Sequence, residues 1–313
     1  MAMANAARVF IDGEAGTTGL GIRERLQGLA SVELCSLPDA SRKDPAARRD
    51  MMRAVDLVVL CLPDDAAQES TAIADSLGSQ APKLLDASTA HRVDPGWVYG
   101  FAEMLPGQAA RIAQASRVAN PGCYPTGGIA LLRPLVEAGL LPTDYPVTVH
   151  AVSGYSGGGK ALIAAHEASG GPAFEAYALG LEHKHLPELQ VYSKLVRRPI
   201  FSPAVGHYRQ GMLVSVPLHL DMLHGQVRTA DLHDVLEAYY AGSPLVRVMP
   251  PSANGKLEPE ALNGTDVMEL RVHGHDGHGQ AVLVARLDNL GKGASGAAVQ
   301  NLSLMLGLEQ AGG

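Results

Sequence analysis

The opening of the chain limits its fold more than anything after it. Residues 7–29, "ARVFIDGEAGTTGLGIRERLQGL", pass from a short apolar stretch through Gly13, Gly16 and Gly19 into a segment with helical spacing. A strand that turns this tightly into a helix is followed in the same sheet by a parallel strand, because the helix carries the chain back across the sheet. The next residues repeat the alternation. "SVELCSL" (31–37), "DLVVLCLP" (56–63) and "KLLDAS" (83–88) read as strands, and "DPAARRDMMRAV" (44–55) and "DDAAQESTAIADSLGS" (64–79) read as helices. Asp44 is placed to cap the second helix and Pro45 to sit in its first turn. Leu20, Ile22, Leu26 and Leu29 supply the expected apolar face of the first helix. The predicted architecture is α/β, a parallel sheet with helices on both faces.

The pattern changes near Cys123. "YPVTVHAVSGYS" (145–156), "MLVSVPLHL" (212–220), "DVMELRVHG" (266–274) and "QAVLVARLDN" (280–289) read as longer strands, the last two as antiparallel neighbours. "LHDVLEAYYAG" (232–242) is a helix among them. "GASGAAVQNLSLMLGLEQ" (293–310) returns to helical spacing through Ala298, Leu302, Met305 and Leu306. The expectation is a first domain over residues 1–121 and a second, α+β domain of mostly antiparallel sheet over 122–291.

Bulk composition narrows the function. The 313 residues are 46% hydrophobic and 18% charged, with a formal net charge of −7, which describes a globular chain and argues against nonspecific binding of nucleic acid. No apolar run approaches the roughly 20 residues of a membrane helix. The start "MAMANAARVF" lacks the pattern of a secretory signal. The three cysteines, Cys35, Cys61 and Cys123, fit neither a disulfide framework nor zinc spacing, so a cytoplasmic setting is expected.

Glycines at a strand-to-helix turn let backbone approach a pyrophosphate held on the helix N-terminus, the arrangement of a Rossmann-type dinucleotide site. The end of the second strand bears on which dinucleotide. Ser36 takes the end position, where an acidic residue would favour NAD. Ser41, Arg42 and Lys43 follow and suit a 2′-phosphate; Asp39 argues the other way, and a solvated charged loop is the plain alternative. The balance favours NADP.

"SRVANPGCYPTGG" (116–128) sets Cys123 between two Pro-containing steps at the start of "GCYPTGGIALLRPLVEAG", whose Ile129, Leu132, Leu135 and Val136 recur at helical spacing. A thiol at a helix N-terminus meets orphan N–H groups and the positive end of the dipole, which favour the thiolate. Cys35 and Cys61, inside apolar strands, read as inert. A nucleophile needs a base. Among the 12 histidines, "GLEHKHLPELQ" offers His183 and His185, and "VGHYRQGM" offers His207 beside Arg209. His273, His275 and His278 lack the partners of a metal site, and no metal is expected.

These stretches resemble one family. "ANPGCYPTG" is similar to the nucleophile signature of the N-acetyl-gamma-glutamyl-phosphate reductases. "DNLGKGASGAAVQNLSLMLG" (288–307) resembles their C-terminal stretch, "IDGEAGTTGLGIRERL" the opening of their shorter subfamily, "SGYSGGGK" (153–160) their Ser/Gly-rich loop, and "HKHLPEL" their His-x-His segment. The matches run in order over nearly the whole chain. The resemblance implies a fold like that of glyceraldehyde-3-phosphate dehydrogenase, in which the last helix, 292–313, rejoins a cofactor domain and residues 122–291 form a catalytic and oligomerisation domain. It implies reduction of N-acetyl-glutamyl 5-phosphate by NADPH in arginine biosynthesis, through a thioester on Cys123, with His183 or His185 as base and His207 in reserve. Gly13, Gly16, Thr17, Thr18, Gly19, Ser41, Arg42, Pro63, Ser88, Asn289, Lys292 and Gly293 are then expected at the cofactor. Asn120, Ser153, Gly154, Ser156, Gly157, Lys160, Arg92 and Arg209 are expected at the acyl phosphate, an anion that needs cations or N–H donors. A homo-oligomer, dimer or tetramer, is expected. An aspartate- or aminoadipate-semialdehyde dehydrogenase is the neighbouring alternative. A non-catalytic NADP-binding or redox-sensing protein is the alternative of another class.

Overall fold

In a computed structural model that describes residues 6–308, the chain divides at Pro121–Gly122 and again at Gly293–Ala294 into two compact units. The first unit opens with β1 (Ala7–Asp12), α1 (Thr17–Leu26), β2 (Val32–Cys35), α2 (Pro45–Arg53), β3 (Leu57–Leu60), α3 (Asp64–Asp75), β4 (Lys83–Asp86), β5 (Val98–Tyr99), α4 (Gln108–Gln114) and β6 (Arg117–Ala119). Its sheet runs β2-β1-β3-β4-β6-β5, and every pairing is parallel. Side chains alternate along each strand and so feed two cores. Val9, Ile11, Leu57 and Val59 pack with Ile22 and Leu26 of α1 and Ile112 of α4. Phe10, Val58, Leu60 and Leu84 face the other way, onto Met52 of α2 and Ala67 and Ala74 of α3.

Local chemistry sets the helix starts. Asp44 accepts the Ala46 N–H at 2.9 Å, and Pro45 takes the first position of α2, as its sequence predicts. At the end of β1, the buried Asp12 accepts from Arg48 Nε and Nη2 at 3.1 and 2.9 Å and from Ser70, fixing α2 and α3 beside the glycine turn. The expected stripe on α1 is narrower than predicted: Leu20 is exposed and Leu29 lies past the helix end. Leu20 and Ile22 are two positions apart, about 200° around the helix axis, so both cannot face one core.

The second unit begins with α5 (Cys123–Glu137), β7 (Thr148–Gly154), α6 (Gly159–Ser169), β8 (Phe174–Ala176), α7 (Leu186–Tyr192), β9 (Ile200–Gly206) and β10 (Met212–His219). It continues with α8 (Thr229–Tyr239), β11 (Val246–Val248), β12 (Met268–His275) and β13 (Gln280–Leu287). The strands form one mixed sheet, β11-β12-β13-β10-β7-β9-β8, antiparallel except for β11–β12 and β7–β9. The expected β12–β13 pair is present in register from Met268↔Leu287 to His275↔Gln280. α5 is buried from Tyr124 to Leu135 and lies on the inner face of the sheet. Gly127 permits this: a Cβ there would fall 2.9 Å from Val214 of β10 and 3.2 Å from Ala285 of β13.

After β13 a π-helical turn over Gly291–Ser295 leads to α9 (Gly296–Leu306), which packs Ala298, Leu302 and Met305 into the first unit beside Val9 and Ile11. Leu306, in the last helical turn, is only partly buried. The end of the predicted helical segment, past residue 308, lies outside the described residues. No helix among the described residues is long and apolar enough to cross a membrane.

Candidate active site

Cys123 is the first residue of a 15-residue helix, after Gly122 in extended conformation (φ −74°, ψ 150°). Gly122 has no side chain to cap the helix, so the first-turn N–H groups and the dipole act on whatever lies beside them. The Gly122 N–H itself donates to Glu188 Oε2 at 3.0 Å. Glu188 is 1% exposed on α7 and ties the short helix to the start of the long one. Gly293, in the π turn, closes on the same point: a Cβ there would fall 2.9 Å from Cys123 Cβ, so this position takes glycine alone.

An aromatic collar surrounds the helix start. Tyr124 contacts the rings of His183, His185 and Phe201 at centroid distances of 6.4, 5.9 and 5.3 Å. Tyr177 lies 5.7 Å from the His183 ring, and its hydroxyl donates to that of Tyr124 at 3.4 Å. Tyr124 donates onward to the Ala204 carbonyl at 3.1 Å. Burial pushes the Tyr177 phenol up to about 12, the Tyr124 bond opposing and the Cys123 charge adding to the rise. Burial raises Tyr124 further still, with the charges of Tyr177 and Cys123 contributing. Both phenols therefore stay protonated donors near the sulfur. His185 is 7% exposed at the start of α7, and its backbone N–H donates to His183 Nδ1 at 3.1 Å. Cys61 is different: burial first, then the Asp86 and Asp12 charges, push its thiol to about 12 and leave it inert.

The first unit carries the glycine turn. Gly13 has φ +89°, and a Cβ there would strike the Cys61 carbonyl at 2.3 Å. Gly16 begins α1 with no side-chain cap, and the buried Thr17 Oγ1 has no hydrogen-bond partner. Uncapped N–H groups beside an orphaned hydroxyl fit a phosphate. The semialdehyde dehydrogenase dimerisation-domain family model matches residues 123–289, the stretch that holds the collar. The N-acetyl-gamma-glutamyl-phosphate reductase of Brucella ovis is 55% identical over 308 residues, covering 96% of this chain and 99% of that one.

The chain belongs to the N-acetyl-gamma-glutamyl-phosphate reductase family.

N-acetyl-gamma-glutamyl-phosphate reductase 2 of Pseudomonas putida is 54% identical over 311 residues, covering 97% of this chain and 98% of that one. Two solved structures share the fold at low identity. Aspartate semialdehyde dehydrogenase II from Vibrio cholerae superposes with a TM-score of 0.72 at 18% identity, over 96% and 98% of the two chains. The aspartate semialdehyde dehydrogenase with NADP from Candida albicans gives 0.67 at 13%, over 96% and 99%. This chain is thus an oxidoreductase with the two-domain fold of the semialdehyde dehydrogenases.

Within this reductase, the other predicted residues fall into distinct settings. His207 hydrogen-bonds His166, Nδ1 to Nδ1 at 2.9 Å, and its ring contacts are with Tyr155 and His166, whereas His183 and His185 contact Tyr124. Arg209 is 60% exposed at its side chain and paired with Glu167, a surface ion pair. Ser153 and Ser156 are buried, while Gly157 and Lys160 are exposed; Gly154 packs where a Cβ would meet the Arg209 backbone at 2.6 Å. Asn289 spends its amide on this loop, donating to Ser156 Oγ at 2.9 Å and accepting the Gly211 N–H at 2.8 Å. Lys292 is 1% exposed and, with Gly293, falls in the second unit. In the first unit, Ser88 donates to Asp86 and accepts the Ala90 N–H, Arg92 is buried, and Pro63 precedes α3. Asn120 binds the Ala294 carbonyl and accepts from Asn301 at 3.0 Å, holding β6 to the returning segment. Thr18 is partly buried in the first turn of α1. Ser41 ends a short 3-10 turn, and the neighbouring Arg42 pairs with Glu14 and Asp39.

Sequence reasoning passed over Tyr177, Glu188 and Glu14. Glu188 had a signal, since it follows His185 by three residues on one face of α7. Tyr177 had none, because the hydroxyl it bonds, that of Tyr124, lies 53 residues away in sequence.

Proposed function

We propose that this chain reduces N-acetyl-glutamyl 5-phosphate to N-acetyl-glutamate 5-semialdehyde with NADPH, releasing phosphate, as a cytoplasmic step of arginine biosynthesis. The observation that carries the reading is Cys123 at the uncapped start of α5, inside a collar of two protonated tyrosines and two histidines. The names of the Brucella and Pseudomonas relatives support the substrate.

The α1 N-terminus, Gly13, Gly16 and the orphaned Thr17 hydroxyl suit the dinucleotide's pyrophosphate, with Ser41 and Arg42 toward a 2′-phosphate. The Cys123 thiolate, favoured by the helix dipole, attacks the acyl carbon. The bond from carbon to phosphate oxygen breaks, and a thioester on Cys123 remains. When bound, NADPH supplies the hydride that takes this thioester to a thiohemiacetal. The Cys123 N–H is a donor to the oxygen that gains charge, and Tyr177 becomes the second when its O–H turns from Tyr124 to that oxygen. His185, whose backbone N–H holds the His183 ring beside it, gives that oxygen its proton from its own ring and takes it back as the carbon–sulfur bond breaks and the aldehyde leaves. The Ser/Gly loop from Ser153 to Lys160 holds the substrate's anionic groups. The outer face of the second unit's sheet joins two copies of the chain, in keeping with the dimerisation-domain match.

The test is Cys123→Ser, assayed in reverse with phosphate, NADP and either N-acetylglutamate semialdehyde or aspartate semialdehyde. Wild type is expected to turn over the first at least tenfold faster. The variant is expected to lose turnover by several orders of magnitude while still binding NADPH. Turnover retained by the serine variant, or a wild-type preference for aspartate semialdehyde, would overturn the reading.

A further inference from the structure

The first unit holds a charge cluster that the proposed function uses only through Arg42. Glu14 follows Gly13 in the glycine turn and reaches across to three donors. Its Oε1 accepts from Arg42 Nη2 at 2.7 Å. Its Oε2 accepts from Arg23 Nη1 and from Ser36 Oγ, the latter at 3.0 Å. Arg23 also donates to Ser36 at 3.0 Å. The donors come from three separate places: the second turn of α1, the residue just past β2, and the segment after the 3-10 turn. In a sheet of this type, the glycine turn and the end of the neighbouring strand flank the adenosine ribose of a dinucleotide.

Two guanidinium groups and a hydroxyl converging on one point form a phosphate-binding set: planar forks for paired oxygens and a neutral donor for a third. Here a carboxylate of the same chain takes those donors. Glu14 is only 13% exposed at its side chain, whereas Arg23 and Arg42 are 38% and 41% exposed, so the acid sits beneath the cations rather than outside them. Asp39, the other acid on Arg42, is 89% exposed and screened by water. A 2′-phosphate carries about −1.5 to −2 charges near neutral pH and would repel Glu14 while competing for both arginines. A ribose 2′-hydroxyl has no such conflict and can donate to the carboxylate.

The structure assigns Glu14 as the residue that sets the choice between NADPH and NADH: it holds Arg23, Arg42 and Ser36 in place of a phosphate and gives them up when the 2′-phosphate binds. This assignment rests on the dinucleotide reading of the glycine turn. It adds a selectivity element inside the turn, where the usual acidic determinant stands at the end of β2.

The test is a fluorescence titration of the full-length protein with NADPH and with NADH at one low ionic strength. Glu14→Gln keeps an acceptor for Ser36 and removes the charge. It is expected to tighten NADPH about tenfold, in line with one charge-assisted contact freed for the phosphate, and to weaken NADH or leave it unchanged. Arg42→Ala and Arg23→Ala are expected to weaken NADPH about tenfold each relative to NADH, and the NADH titration reports that each variant is folded. A ratio of the two affinities within twofold of wild type in Glu14→Gln overturns the assignment, as does an unchanged ratio in both arginine variants. A wild type that prefers NADH while Glu14→Gln still shifts the ratio toward NADPH supports the assignment and sinks the NADP reading instead. A wild type that binds neither nucleotide overturns both.

Discussion

Tyr177 shows how a single residue's surroundings decide its chemistry. An ordinary phenol is half ionised near pH 10 and loses its use as a donor there. Burial lifts Tyr177 to about 12, so its proton remains in place through the whole range in which the thiolate forms. In the proposed reaction, removing this one donor to the reacting oxygen should cost about 10²-fold in kcat. The expected outcome for Tyr177→Phe is a fall of that size that is the same at pH 7 and pH 10, read from the ratio of variant to wild-type rates. Were the phenol ordinary, half of it would be ionised at pH 10 and the ratio would already have fallen about twofold there. The sign follows from the direction of the shift: a raised phenol keeps the protonated form to higher pH, so the loss on mutation stays constant until pH approaches 12.

At the level of elements, α5 and α7 meet through the Gly122–Glu188 bond, and on the proposed function this junction sets how readily Cys123 ionises. The helix dipole favours an anion at Cys123, while a buried carboxylate at the same terminus opposes one. Glu188→Gln keeps an acceptor for the Gly122 N–H and removes the opposing charge. Its Cys123 is expected to alkylate with iodoacetamide at a midpoint about one pH unit lower than wild type. Glu188→Ala, which loses the acceptor, should raise reactivity less and lower catalysis more. The midpoints, measured in a Cys35→Ser background, check both; an unmoved midpoint in Glu188→Gln refutes the idea. The same two elements show what the sequence could reveal. α5 was legible because Pro-Gly precedes it and apolar residues recur through Leu135, and the resemblance of "ANPGCYPTG" named its first residue. The segment carrying Tyr177 was not legible. Ala178 and Leu181 adopt φ +53° and +59° while Gly180 between them does not take a positive φ, so residue type does not mark the left-handed positions and tertiary packing shapes them. Leu20 failed for the opposite reason: its residue type suited a core, and only the angular position on α1 put it in water.

At the scale of the whole molecule, the mixed sheet of the second unit has an outer face that a monomer would leave half wet. Along β10 the inward Met212, Val214, Val216 and Leu218 are buried, while Pro217 and His219 on the opposite face are exposed. On β13, Val282 stands in register with Pro217 on one side and His273 on the other, and it is 39% exposed. Ile200, on β9 of the same sheet, is 51% exposed. Apolar side chains spaced along a broad sheet suit a second sheet packed face to face. Further along, Arg271 and Arg286 both donate to Glu269 and hold its carboxyl below the usual range even though partial burial opposes this, so the triad stays ionised near neutral pH. Val282→Glu puts a carboxylate opposite His273, whose ring burial and the Arg271 charge keep from taking up a proton, so no cation stands ready to pair it. If two copies join there, each new carboxylate is buried unpaired, at a cost of roughly 3–5 kcal/mol, enough to raise a dissociation constant more than a hundredfold. Sedimentation velocity is expected to show a dimer or tetramer for wild type and smaller species for Val282→Glu, with unchanged far-UV circular dichroism. An assembly that survives the substitution at low micromolar concentration would mean that the copies meet elsewhere.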